Sequence, residues 1–159
     1  DVCSSDLHHF GTKAGLYVAA AEHVYATVLG RYQAVLEGEP TFAESLQRMM
    51  DLAVLLRTEQ PLLAPMLLTV VIDIRRDPEL AEQLGPTVRS FRRFFDRVAA
   101  GAPEHLRRTP AEQRALARAL VTVMNGLDIT SLLVRTAPDY AQTVSALGAL
   151  LQHGARSDD

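Results

Sequence analysis

The chain has 159 residues and a formal net charge of −3, so it is long enough for one domain with a substantial core. Hydrophobic residues make up 48% and aromatic residues only 6%. Alanine and leucine dominate, which favours helices over sheets. The charge balance argues against a complete nucleic-acid-binding domain, which usually carries an excess of basic residues. The single cysteine, Cys3, excludes an internal disulfide and a cysteine metal site.

Helix-starting residues recur along the chain. Thr12 and Asp77 are typical N-cap residues, and Thr41 and Thr109 each precede a glutamate three positions later, which forms a capping box. Gly85-Pro86 predicts a break or a kink within a helix. The predicted helices cover about residues 13–37, 42–58, 66–76, 77–100, 110–134 and 138–154, with Pro61 and Pro65 bounding a short turn and Gly154 closing the last helix. No segment has the pattern of a strand, so the sequence predicts an all-α bundle of six or seven helices.

Neither of the two longest apolar segments has the composition of a membrane span. Leu62–Ile72 and Leu116–Val134 are interrupted by proline, threonine, arginine, asparagine or aspartate. No basic region followed by an apolar one marks a signal peptide near the first residue. The sequence therefore predicts a cytoplasmic protein that does not enter a membrane.

Residues 8–17 read HHFGTKAGLY. This decapeptide resembles the end of the DNA-reading domain of the tetracycline-repressor (TetR) family of transcriptional regulators. The layout that follows also resembles the family: a long linking helix, a middle group of helices and two long final helices, with Val123–Leu127 similar to part of the penultimate helix. The resemblance implies a TetR-like C-terminal ligand-binding and dimerisation bundle with only the last part of the helix-turn-helix domain.

The resemblance also divides the chain. Residues 1–7 do not fit the family and match what a common sequencing adapter encodes, so we interpret them as an artefactual leader. Residues 8–17 are then the remnant of the DNA-binding domain, 18–154 the ligand-binding and dimerisation domain, and 155–159 a polar tail. Because a helix-turn-helix needs a recognition helix held by a partner helix, we expect no specific DNA binding by this chain.

The resemblance implies a phosphate-contacting role for His9, Thr12 and Lys13 in the intact parent protein. A helix beginning at Thr12 presents free amides and the positive end of its dipole to a phosphate, and Lys13 adds a cation. Such contacts position a protein on operator DNA without reading bases. Ordinary capping of a solvated helix end is the alternative interpretation of Thr12 and Lys13.

In this family the last two long helices pair with their copies in a homodimer. Apolar and small residues at helical spacing provide the candidate interface, and burial of each leucine would contribute about 1.5–3 kcal/mol. Packing within one protomer is the alternative interpretation of the same residues. The candidate dimer residues are Leu116, Leu120, Val123, Leu127, Val144, Leu147, Gly148 and Leu151.

The resemblance further implies a small-molecule pocket among the middle helices. Methionine and phenylalanine form adaptable apolar walls, and a few polar residues within apolar stretches provide specific contacts. Ordinary core packing is again the alternative. The candidate pocket residues are Met49, Met66, Thr69, Val70, Asp73, Phe91, Phe94, Phe95, Met124, Asn125 and Asp128. The expected ligand is apolar or aromatic rather than a phosphate or a sugar.

No catalytic pattern is found in the sequence. The histidines do not form metal-binding helical pairs, and no glycine-rich phosphate loop or nucleophile elbow occurs. The sequence therefore predicts no catalytic residue, no metal site and no cofactor. It predicts a fragment of a ligand-responsive one-component transcriptional regulator, a repressor. The alternative is a dimeric helical module that binds small molecules or acts as a scaffold without binding DNA.

Overall fold

The computed structural model describes residues 12–155, with side chains through Gln152. In this range the chain forms six α-helices, a short 3₁₀ turn at Glu104–Leu106 and no strand, which confirms the predicted all-α fold. The predicted leader, His9 and the last four residues lie outside the described residues. The helices are α1 (Lys13–Val35), α2 (Phe42–Glu59), α3 (Leu63–Arg76), α4 (Pro78–Ala100), α5 (Pro110–Leu133) and α6 (Ala137–Ala155).

The predicted helix starts are confirmed by their hydrogen bonds. The Thr12 hydroxyl accepts a bond from the Gly15 amide at 3.0 Å, and Asp77 caps α4 with a proline at the next position. In the capping box of α2, the Thr41 amide donates to the Glu44 carboxylate at 2.8 Å. Thr109 begins α5 in the same way. These caps satisfy amides that have no partner within the helix.

The structure departs from the prediction at two prolines. Pro65 lies in the first turn of α3, where a missing amide removes no helical bond, so α3 begins earlier than expected. Pro86 lies inside α4, which continues past it, so the predicted break does not occur, while the kink predicted as its alternative stays a prediction. A proline inside a helix costs about 3 kcal/mol. Buried side chains on both sides of Pro86, including Leu84 and Phe94, provide the packing that offsets this cost.

The last helix differs from the prediction at both ends. Thr136, which the sequence analysis did not single out, caps α6 by accepting a bond from the Asp139 amide at 3.2 Å. The helix also continues through Gly154 to Ala155.

One apolar core joins all six helices. α1 packs against α2, α3 and α4, while α5 packs on α3 and α4, and α6 lies against α2. The largest fully buried side chains come from five of these helices: Tyr140, Phe94, Phe95, Met49, Leu84, Leu127 and Val70. The arrangement leaves a space between α1, α3, α4 and α5, which is described below.

α5 has the length and composition of a membrane-spanning helix, with a mean hydropathy of 1.3 over its most apolar window. α2 and α3 meet the same test only as a pair, and they are bent by 104° from each other. One or two such helices are weak evidence for a membrane protein, because a helix that supplies a core has a similar composition. α5 supplies Ala117, Leu120, Met124 and Leu127 to the core of this domain.

Candidate functional site

A cavity of about 1050 Å³ lies between the helices. Tyr25 and Tyr32 of α1, Phe91 and Phe95 of α4, and Met124 of α5 form much of its wall. Its volume is at the upper end of the range for small-molecule pockets, about 300–1,000 Å³. Because its wall combines several helices, a bound molecule would contact most of the bundle at once.

Aromatic rings form one side of the cavity. The Tyr25 and Phe91 rings meet edge to face with their centroids 5.5 Å apart, and Tyr32 meets Phe95 at 6.3 Å. Phe91 and Phe95 are themselves 5.4 Å apart. Such geometries are the favoured ones for aromatic pairs, so the rings form a well-defined apolar surface.

Arg57 closes the cavity near the connection between α5 and α6. Its guanidinium donates to the Val134 carbonyl at 2.6 Å and to the Thr136 carbonyl at 3.2 Å. The same guanidinium lies 4.7 Å from the centroid of the Tyr140 ring, a cation–π distance. One side chain of α2 therefore fixes the connection that positions α6.

Asp128 of α5 is a half-buried carboxylate on the cavity wall. Among the described residues it has no ion pair and no side-chain hydrogen bond. Burial raises its pKa to about 6, because a desolvated carboxylate disfavours its charged form.

Three tyrosines share the cavity wall with this carboxylate. Burial, and then the negative charge of Asp128, raises the pKa of Tyr25 and of Tyr140 to about 12, and the pKa of Tyr32 also rises for both reasons. The charge of Asp128 therefore acts on all three tyrosines. None of the three hydroxyls is a donor in the hydrogen bonds found among the described residues.

The cavity wall also carries four arginines besides Arg57. Arg75, Arg92, Arg118 and Arg135 are exposed to solvent at the same time as they border the cavity. The half-buried Asp96 lies among them on α4. The cavity wall therefore combines a half-buried carboxylate, Asp128, with four exposed arginines.

We expect Asp128→Asn to stabilise the folded chain by about 3 kcal/mol at pH 8, since the pKa shift of about two units corresponds to about 1.4 kcal/mol per unit. The pKa of Asp128 in the folded chain is higher than the ordinary value of 3.8. The folded state therefore binds the proton more strongly, and its stability falls as the pH rises from about 4 through about 6. The asparagine side chain has no charge to desolvate, so the advantage of the variant should disappear near pH 4.

Urea unfolding at pH 8 and at pH 4 measures this difference. Asp51→Asn, at an exposed carboxylate that accepts a bond from Gln47 at 2.8 Å, is the matched control and should change the stability by less than about 0.5 kcal/mol. Equal or lower stability of Asp128→Asn at pH 8 would show that Asp128 is not desolvated in the folded chain.

The structure brings together part of the predicted pocket. Phe91, Phe95, Met124, Asn125 and Asp128 line the cavity. The remaining candidates do not line it. Met49, Val70 and Phe94 are buried in the core, and Met66 packs against that core.

Two polar candidates for the pocket are used elsewhere. Thr69 is exposed, and its hydroxyl donates to the Pro65 carbonyl at 2.9 Å within α3. Asp73 accepts a bond from the Tyr17 hydroxyl at 2.7 Å, which ties α3 to the beginning of α1.

The residues predicted for a dimer interface fall into two groups. Leu120, Leu127 and Val144 are buried in the core of the single protomer, and Gly148 lies where a Cβ would meet the Met50 sulfur at 3.2 Å, against α2 of the same chain. These four provide little area for a second copy. The others are only partly buried: Leu116, Val123, Leu147 and Leu151.

Sequence reasoning missed four residues that shape the cavity. Tyr25 and Tyr32 were not considered because aromatic residues on a long helix are as easily core residues, although their spacing with Val28 puts all three on one face of α1. Arg57 and Tyr140 have no sequence signal, since their contact joins positions far apart in the chain.

The predicted phosphate-contacting residues lie at the start of α1. Thr12 and Lys13 are exposed there. α1 continues without interruption across the predicted boundary between residues 17 and 18, so the remnant and the body share one helix.

Among residues 12–155, no three histidine, cysteine, aspartate or glutamate side chains come together as a metal site. In comparisons with known proteins, no family model, no curated protein and no solved structure matches this chain.

Proposed function

We propose that this chain is the ligand-binding and dimerisation part of a TetR-type transcriptional regulator, a repressor whose affinity for operator DNA responds to a small molecule. The observation that carries this proposal is the cavity, because its wall includes the same helix that begins with the family-like sequence at Thr12 and Lys13. Its apolar and aromatic lining suits an apolar or aromatic ligand.

α1 connects the ligand cavity with the proposed DNA-contacting residues at its first turn. Tyr25 lies about 18 Å along the helix from Lys13, at 1.5 Å per residue. The bond from Tyr17 to Asp73 holds the first turns of α1 against α3, and Leu67 and Val71 of α3 also line the cavity. A ligand that favours one position of α1 relative to α3 would shift the reader domain attached to its start, which is a coupling free energy between sites.

The outer faces of the last two helices support a homodimer. Between residues 119 and 133 the only charged side chain is Asp128, which faces the cavity, and residues 140–152 of α6 carry no charge. Solvent-facing helix surfaces normally carry charged residues. Leu133 and Leu150, which are 75% and 72% exposed, would each contribute about 1.5–3 kcal/mol when fully buried by a second copy.

The proposal places the regulator in the cytoplasm and gives operator DNA as the partner of the intact protein only. Thr12 and Lys13, with His9 before them, would contact phosphates there. On this proposal the chain binds its ligand and dimerises, and specific binding to an operator belongs to the intact protein.

The test compares this chain with the intact product of the gene that encodes it. A thermal-shift screen of apolar and aromatic metabolites identifies a ligand, because a ligand that binds only the folded state raises its melting temperature. We expect the intact product to protect one DNA segment in footprinting and to release it when the ligand is added. The present chain should bind the same ligand, form a dimer in sedimentation equilibrium and leave the DNA unprotected.

The result that would contradict the proposal is an intact product that binds the ligand and dimerises but selects no DNA sequence. That result would identify the alternative, a dimeric small-molecule-binding or scaffold module. Sequence-selective DNA binding by the present chain would also overturn the expectation that its reader domain is incomplete.

A further inference from the structure

The cavity contains polar groups that the protein itself does not satisfy. The Asp128 carboxylate and the hydroxyls of Tyr25, Tyr32 and Tyr140 line it, and none of these groups has a hydrogen-bond partner among the described residues. These oxygens are not among the fully buried polar atoms that lack a partner in the described part of the chain, so they keep access to the open space of the cavity and can accept a bond from a molecule there. Here all four border the same space, and a molecule in that space would reach them together.

The charge of Asp128 and the aromatic rings of the cavity wall indicate which type of molecule would bind. The carboxylate and the tyrosine oxygens accept hydrogen bonds, and a carboxylate removed from water gains more from a positive partner than an exposed one does. The faces of tyrosine and phenylalanine rings attract cations as well. One cation, the Arg57 guanidinium, already lies against the Tyr140 ring at 4.7 Å in this wall.

We propose that the cavity selects organic cations with an apolar, aromatic body, and that Asp128 is the residue that recognises their positive charge. This inference rests on the proposed ligand-binding function and names the chemical class of its ligand. The cavity volume of about 1050 Å³ accommodates several rings, so the body would lie against Phe91 while the charged centre lies near Asp128.

The arginines of the cavity suggest an acidic ligand instead. The expected strength of each ion pair decides between an acidic and a cationic ligand. Arg57 is already hydrogen-bonded to two carbonyls. Arg75, Arg92 and Arg118 are exposed, where ion pairs contribute only about 0–1 kcal/mol. Asp128 is half-buried and has no ion-pair partner among the described residues, so we expect it to outweigh the exposed arginines in selecting the charge of the ligand.

The test uses two probes of nearly the same shape and opposite charge, the tetraphenylphosphonium cation and the tetraphenylborate anion. Isothermal titration calorimetry at pH 7.5 measures the affinity of each for the full chain. We expect the cation to bind at least about tenfold more tightly than the anion. Asp128→Asn should weaken binding of the cation about tenfold and leave binding of the anion unchanged or tighter.

Asp51→Asn is the matched control, because it removes an exposed carboxylate that lies outside the cavity. It should change the affinity for the cation by less than about threefold. The unfolding measurements on Asp128→Asn described above establish separately that the variant is folded.

Three results would overturn the inference. If the anion binds as tightly as the cation, or if the two aspartate variants weaken the cation equally, Asp128 does not select charge, while the cavity remains a ligand site and the proposed function stands. If neither probe binds the folded chain, both this inference and the ligand-binding part of the proposed function fail.

Discussion

Replacing Phe95 with alanine is expected to destabilise the fold by about 3–5 kcal/mol. Phe95 is completely buried, and its ring lies 5.2 Å from Phe94, 5.4 Å from Phe91 and 6.3 Å from Tyr32. The substitution removes these aromatic contacts and the apolar area of the ring. Because the Phe95 ring is fully enclosed, its removal leaves a void that the neighbouring rings can fill only in part.

Urea unfolding followed by circular dichroism measures this effect. Phe95→Leu is the matched variant, since it keeps most of the apolar volume and should cost about 1–1.5 kcal/mol. A loss below about 1 kcal/mol for Phe95→Ala would mean that the aromatic cluster does not support the fold as the ring distances indicate.

Replacing Arg57 with alanine is the second large effect, with an expected loss of about 3 kcal/mol. The variant loses two hydrogen bonds from a charged donor. Each contributes about 1.5–3 kcal/mol, and because both come from one guanidinium their contributions are not fully additive. The Val134 and Thr136 carbonyls lose their donor at the same time. The cation–π contact with Tyr140 adds about 0.5–1 kcal/mol.

Arg57→Lys separates the planar geometry of the guanidinium from its charge. A lysine keeps the positive charge but cannot present a rigid pair of donors to two carbonyls, so we expect it to recover about half of the loss. Thermal and urea unfolding of both variants measure the difference. Wild-type stability in Arg57→Lys would show that charge alone holds the α5–α6 connection, and wild-type stability in Arg57→Ala would show that the contact contributes nothing.

Local chemistry explains which parts of the fold were predictable. The caps at Thr12, Thr41, Asp77 and Thr109 involve residues within one helical turn, so their spacing is visible in the sequence. Pro86 was not predictable in the same way. Whether a proline ends a helix depends on how much apolar area its two flanks bury, and that quantity is set by neighbouring helices.

The cavity shows the same division between local and tertiary information. Phe91, Phe95 and Met124 could be proposed as wall residues because they repeat at helical spacing with apolar neighbours. Phe94 follows the same pattern but faces a different part of the bundle, where it borders a second cavity of about 320 Å³ between α1, α2 and α4. Spacing defines the face of a helix, while the rotation of that helix against its neighbours decides what the face meets.

The distribution of tyrosine gives the chain an intrinsic optical reporter. The sequence contains four tyrosines and no tryptophan, so its ultraviolet emission comes from tyrosine alone. Tyr25, Tyr32 and Tyr140 line the cavity, and the fourth, Tyr17, is bonded to Asp73 at the start of α1. Occupancy of the cavity should therefore change the emission of the unlabelled protein, and Tyr17→Phe would leave a signal that originates only from the three rings around the ligand.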